Sequence, residues 1–194
     1  MEEKKPDEAK LDSHKVNLSV TYANAFINAG FSSDTIMMKE GNDELEWVFK
    51  NKDYGQIASV ASVGMLLLWN IDAGFEKIDK YMDHNNDLIR AGSYIAVGLV
   101  NSGIKNINDP VFALLQDKLD KNQFEKVGAL MGLSLTYAGS NRKDIIDEII
   151  PMILDMNNDM EVIAVASLAL GLICIASKDE GCLEALMTCL MTRE

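Results

Sequence analysis

The sequence predicts an all-α protein built as an α-solenoid, and three observations carry that prediction. A pattern of small residues set into an apolar helix recurs with central glycines at Gly64, Gly98, Gly132 and Gly171, spaced 34, 34 and 39 residues apart. Between the copies lie amphipathic stretches whose apolar residues follow helical spacing. No stretch alternates apolar and polar residues as a strand does. A period of 34 to 39 residues is the length of a helix–turn–helix unit that buries its apolar surface mainly against its neighbours.

In chain order, "MEEKKPDEAKLDS" (1–13) is charged, holds Pro6 and has little to bury, so it is expected to be disordered. A first, weaker copy, "VNLSVTYANAFINAG" (16–30), puts Ala25 in the central slot, 39 residues before Gly64. Residues 31–52 form an irregular linker with room for a hidden partner helix. The full copies are "IASVASVGMLLLWN" (57–70), "IRAGSYIAVGLVNSG" (89–103), "KVGALMGLSLTYAGS" (126–140) and "VIAVASLALGLICIAS" (162–177). Five positions before each glycine stand Ser59, Ser93, Val127 and Ala166; two before stand Ser62, Ala96, Leu130 and Ala169. Helices that are small there approach their neighbours closely, so these form the inner layer. A helical glycine costs roughly 1 kcal/mol against alanine, so its return at one slot points to a repeated packing need.

Amphipathic partners form the outer layer. In 73–83 the buried stripe is Phe75, Ile78 and Met82; in "NDPVFALLQDKLDKN" Asp109 reads as the N-cap, Pro110 as the first helical residue, and Val111, Leu114, Leu115 and Leu119 as the buried face. "NRKDIIDEIIPMILD" offers Ile145, Ile146, Ile149, Ile150, Ile153 and Leu154, with Pro151 expected to kink or restart the helix. "EGCLEALMTCLM" carries Leu183, Leu186 and Leu190, which need a following repeat or lie on an exposed end. The expected organisation is a segment 1–13 followed by one domain, 14–194, of about five units: 14–52, 53–86, 87–122, 123–157 and 158–194. With no polar capping unit at either end, the chain reads as a piece of a longer array.

Composition removes several function classes. A net charge of −12 works against sustained contact with nucleic-acid phosphates and favours a basic protein partner. The apolar runs "VGMLLLW" and "VASLALGLICIA" are too short or too broken to span a bilayer, and Met1 precedes a charged stretch, so a soluble, unsecreted chain without membrane contact is expected. Cys174, Cys182 and Cys189 contain no CxxC and lie far from His14 and His84, so they read as reduced apolar fillers and no metal site is expected. Asp83, His84 and Asp87 lack a fourth ligand, and two distant histidines build no nucleophilic triad. "GSNRK" (139–143) lacks the phosphate-loop pattern and reads as a turn. Tyr94, Tyr137, Trp47 and Trp69 read as packing anchors. No enzyme, cofactor or small-molecule substrate is indicated.

One surface feature stands out. Asp72, Glu76, Asp79 and Asp83 fall at i, i+4, i+7 and i+11. At 100° per residue they cluster within about 60° and sit roughly 100° from the Phe75–Ile78–Met82 stripe. Such a stripe is either a solvated face or a docking surface for something basic. Asp72 also reads as a helix N-cap, whereas Asp79 and Asp83 lie too deep for capping. Tyr81 and Met82 are the candidate apolar centre, with Asp109, Asp117 and Asp120 a possible second acidic wall.

The words "WVFKNKDYGQIASVASVGMLLLWNIDAGFEKIDKYM", "LIRAGSYIAVGLVNSGIKNINDP" and "LTYAGSNRKDIIDEIIPMI" carry a resemblance. From about residue 16 onward the chain resembles the proteasome/cyclosome repeat region of the ubiquitin-receptor scaffold family, the largest non-ATPase subunits of the proteasome regulatory-particle base. The N-terminal segment has no counterpart, and the repeats that would close a ring are missing. The resemblance implies an arc of a two-layer α-toroid without catalysis. It also implies a site for ubiquitin or the ubiquitin-like domains of shuttle factors on acidic outer helices, at Asp72, Asp79 and Asp83. Proteasome base ATPase subunits are implied as further partners, and a cytoplasmic and nuclear setting. The other reading is a purely structural solenoid segment that contacts base subunits without binding ubiquitin.

Overall fold

The structure, a computed structural model, describes residues 13–38 and 44–192. Among these, α-helices follow one another without a strand: α1 (Ser13–Ile27), α2 (Glu44–Phe49), α3 (Tyr54–Leu66), α4 (Ile71–Met82), α5 (Asp87–Val100), α6 (Pro110–Leu115), α7 (Gln123–Thr136), α8 (Lys143–Leu154), α9 (Met160–Ile173) and α10 (Glu180–Thr192). A 3₁₀ turn, Gln116–Lys118, extends α6. Apart from Ser13, which opens α1, the stretch expected to be disordered lies outside the described residues. The irregular linker does hold a short helix, α2.

The odd-numbered helices stack side by side in chain order, α1 on α3, α3 on α5, α5 on α7 and α7 on α9. Outside them α4 packs on α5, α6 on α7, α8 on α9, and α10 on α8 and α9. This is a two-layered α-solenoid. Its inner helices touch backbone to backbone where the glycines recur. A Cβ on Gly64 would lie 2.5 Å from the Ala96 Cα, one on Gly98 2.5 Å from the Gly132 Cα, and one on Gly128 2.5 Å from the Ala91 carbonyl oxygen. No side chain fits at such separations, so the glycines set the inner-layer spacing. Ser59, Ser93, Ala96, Ala166 and Ala169 are buried beside them.

The turns that leave the inner helices add a second kind of joint. Gly30 and Ser32 donate their N–H groups to the carbonyls of Met65 and Leu66, at 3.1 and 2.9 Å. Gly139 and Asn141 do the same to Leu172 and Ile173, at 2.9 and 3.1 Å. In both turns the two donors have left-handed backbone, and in both the acceptors lie one and two residues past the central glycine of the next inner helix. Trp69, also left-handed, donates to the carbonyl of Val100 at 3.2 Å.

The outer helices depart from expectation in places. On α4 the buried line is Gly74, Ile78 and Tyr81, with Phe75 and Met82 half-buried at its edge. Gly74 is responsible: a Cβ there would lie 2.6 Å from Val100, so α4 presses its glycine face onto α5 and turns Tyr81 inward. The face of α6 holds for Val111, Leu115 and Leu119, while Leu114 is half-buried. On α8, Ile145, Ile146, Ile149 and Ile153 are buried, but Leu154 is exposed at the helix end. The helix runs through Pro151 without restarting, because the proline falls in its last turn. Cys182 is buried, Cys174 and Cys189 half-buried, all as free thiols.

Candidate protein-docking site

The acidic stripe rests on α4, which begins two residues after the left-handed Trp69. Asn70, not Asp72, occupies the N-cap position, and its amide donates to the Ser32 hydroxyl at 3.1 Å. Asp72 therefore lies inside the first turn, where a negative charge faces the positive end of the helix dipole. Asp83 takes the C-cap position instead of a mid-helix one. All four carboxylate residues, Asp72, Glu76, Asp79 and Asp83, are exposed on one side. Ile78 and Tyr81, beneath them, are fully buried.

Tyr81 consequently contributes nothing to a surface: it is 0% exposed. The apolar residues that do reach the stripe lie in a groove of about 430 Å³ between α4 and α6, lined by Phe75, Glu76, Asp79, Met82, Pro110 and Leu114. Two of the stripe's carboxylates thus edge an apolar floor shared by two consecutive outer helices. Pro110 and Leu114 were legible as helix residues but not as groove residues, because only the packing of α6 beside α4 brings them there.

Asp109 does not join the acidic wall. Its backbone is left-handed and its side chain caps nothing; the carboxylate accepts from the Tyr137 hydroxyl and from Arg142. The Arg142 guanidinium stacks 5.0 Å from the Phe112 ring and 4.8 Å from Tyr137, and also binds Asp144. Burial, then the Asp109 carboxylate, pushes the Tyr137 hydroxyl well above its ordinary range. This cluster edges a cavity of about 590 Å³ that includes Asn101, Lys105 and Ile107. Asp117, on the 3₁₀ turn after α6, and Asp120 are exposed.

A second polar cluster went unread in the sequence. Glu125, 5% exposed, accepts from Arg90 at 2.8 Å, Tyr94 at 2.9 Å and Asn122 at 2.9 Å. Burial pushes the Glu125 carboxyl up, but the hydrogen bonds from Arg90 and Tyr94 outweigh it and hold the group below its usual value. The paired carboxylate is an ion-pair latch between α5 and α7. The detectable signal was the capping pair, since Asn122 accepts from the Glu125 N–H at 3.1 Å and the two are three residues apart. Among the described residues no three His, Cys, Asp or Glu side chains converge as a metal set, and Asp83, His84 and Asp87 do not. No helix among them is long and apolar enough to cross a membrane.

The fold defines a helical-repeat protein of the α-solenoid class, with the acidic groove on its outer layer. Comparison with known proteins gives the relationship. The chain is 40% identical over 187 residues to the 26S proteasome regulatory subunit rpn-1 of Neurospora crassa, covering 95% of this chain and 21% of that protein. It is 40% identical over 172 residues to the 26S proteasome non-ATPase regulatory subunit 2 of Dictyostelium discoideum, 88% of this chain and 19% of that one. It is 34% identical over 183 residues to the 26S proteasome regulatory subunit rpn1 of Schizosaccharomyces pombe, with 94% and 20% covered. The chain is homologous, over most of its length, to a segment of the largest non-ATPase regulatory subunit of the 26S proteasome. It spans about a fifth of the length of these relatives. No family model matches it.

Proposed function

We propose that this chain is a non-catalytic scaffold and receptor segment of a proteasome regulatory particle, and that it binds ubiquitin or a ubiquitin-like domain on its α4–α6 face. The observation that carries the reading is the groove in which Phe75, Met82, Pro110 and Leu114 form an apolar floor beside Glu76 and Asp79. Ubiquitin's apolar patch has basic surroundings, and this arrangement complements both properties. The floor supplies the desolvated centre on which affinity depends, while Asp72, Glu76, Asp79 and Asp83 set approach and register. Exposed ion pairs contribute only about 0.2–1 kcal/mol each, so the affinity is micromolar, about −8 kcal/mol. Asp117 extends the acidic edge beyond α6. Contacts with base ATPase subunits and a cytoplasmic and nuclear setting belong to the same proposal; the relatives' names as proteasome regulatory subunits support a place in that assembly.

The test is a two-dimensional NMR titration of labelled ubiquitin with the full chain at low and moderate salt. Shifts are expected on ubiquitin's apolar patch, weakened by salt, lost in Asp79→Arg/Asp83→Arg and in Met82→Glu. Absence of shifts at high concentration, or shifts that survive both variants, would leave the segment as scaffold alone.

A further inference from the structure

We infer that Cys174 and Cys182 are a redox pair, which hydrogen peroxide converts to a reversible disulfide that pins the start of α10 to the end of α9. The inference does not depend on ubiquitin binding. It rests on a contact made within the chain.

The two sulfurs lie 2.8 Å apart, in direct contact and within reach of an S–S bond of about 2.05 Å. A sharp reversal of the chain makes that contact. Cys174 is the C-cap of α9, and Ala176 and Lys178, both left-handed, turn the backbone after it. The Cys174 carbonyl accepts from the Ser177 N–H at 3.0 Å, and the Ser177 hydroxyl accepts from the Asp179 N–H at 3.2 Å. Asp179 leads into α10: its carboxylate accepts from the Cys182 N–H at 3.0 Å and pairs with Lys143 of α8. Both cysteines are thus held by hydrogen-bonded backbone, and closing the bond needs little rearrangement. Cys189, seven residues beyond Cys182, is a free thiol whose sulfur has no such contact among the described residues.

The surroundings divide the roles. Cys182 is buried, and that burial, reinforced by the Cys174 sulfur, keeps its proton on. Cys174, the less buried of the two, meets the oxidant. Its thiolate attacks the O–O bond, keeps one oxygen as sulfenic acid and expels the other as hydroxide. The Cys182 sulfur then attacks the Cys174 sulfur: the S–S bond forms, the S–O bond breaks, and the departing hydroxide takes the Cys182 proton to leave as water. Two thiols and one peroxide give one disulfide and two waters, with two electrons passing from sulfur to oxygen. Cys182 is a poor attacker of outside reagents, but its target is the neighbouring atom, so proximity makes up for the thiolate it lacks.

The test treats the folded full chain with hydrogen peroxide, blocks remaining thiols by alkylation and digests with trypsin without reductant. Cleavage after Lys178 separates the two cysteines, so the disulfide appears as a covalent pair of peptides 144–178 and 179–193. That pair is expected in wild type and in Cys189→Ser, where its assignment is unambiguous, to be absent in Cys182→Ser, and to disappear with dithiothreitol. In urea, where the native contact is gone, pairing should spread to Cys189. Hydrogen exchange of the α10 amides should slow on oxidation and recover on reduction. Cys174 passing to sulfinic acid without a cross-linked pair, folded chain pairing equally through Cys189, or α10 exchange unchanged once the pair has formed would each overturn the proposal.

Discussion

Replacing Gly98 by alanine isolates the element that sets the inner-layer spacing. The new Cβ would fall 2.5 Å from the Gly132 Cα, about 1 Å closer than ordinary carbon contact, and the obstacle is backbone that cannot rotate aside. Overpacking of this kind costs about 1–3 kcal/mol, and the unyielding partner places Gly98→Ala in the upper half of that range. The alanine returns about 1 kcal/mol of helix propensity, leaving a net loss of about 1–2 kcal/mol. Gly171→Ala is the matched control, because its Cβ meets nothing within 4 Å and only the propensity gain remains. Thermal unfolding followed by circular dichroism in dilute solution should show Tm falling by roughly 2–8 °C for Gly98→Ala and rising by a few degrees for Gly171→Ala. Equal Tm changes of the same sign would refute the close-approach argument.

Four further outcomes follow from the polar groups and the thiols. Glu125→Leu strands Arg90 and Tyr94 at a buried position and should cost about 3 kcal/mol in urea unfolding. Because the folded Glu125 pKa is lowered, its contribution is fully present above the unfolded carboxyl pKa of about 4.3 and is lost as pH falls through the lower folded value. The acid limb of stability against pH should therefore be shallower in Glu125→Gln than in wild type. Burial, reinforced by Cys174, pushes the Cys182 thiol up to about 12, so iodoacetamide at neutral pH should label Cys182 last of the three cysteines, as mass spectrometry of peptides would show. Asp79→Arg/Asp83→Arg, both at exposed positions, should shift stability by under about 0.5 kcal/mol while testing the docking face.

The inner layer was legible because its constraint is written in residue size: Gly64, Gly98 and Gly132, with Ser59, Ser93 and Ala96, mark close approach wherever they stand. The outer layer was legible only to within one residue of rotation. On α4, the contact that orients the helix belongs to Gly74, which apolar periodicity does not count, and so Tyr81 was placed on the surface and Phe75 in the core. Asp109 does stand at the N-cap position of α6, as read, but its side chain caps nothing. Before Pro110 it has the residue type of an N-cap, but Arg142, 33 residues away, claims its carboxylate. Helix α2, six residues long, gives too few turns for periodicity to register. The four acidic positions were readable as a stripe, but the floor beside them was not, since Pro110 and Leu114 come from the next unit.

The polar joints obey the same period as the glycines. Arg90–Glu125, Arg142–Asp109 and Lys143–Asp179 link residues 35, 33 and 36 apart, and Asn70–Ser32 and Gln123–Glu161 link residues 38 apart. Each ties one unit to the next, as nearest-neighbour coupling in a solenoid requires. Such pairs add direction to the close approach that the glycines set: a helix that rolled by one residue, about 100°, would lift Gly128 and Gly132 off their contacts and separate Glu125 from Arg90 and Tyr94. The carboxylates committed to this work, Asp109, Glu125 and Asp179, lie at turns and helix starts beside the adjoining unit. Those of α4 lie along the outer face of a helix already fixed by Gly74 and Ile78 from below. Register is thus secured without them, so the outer face of α4 can change while the repeat geometry stays intact.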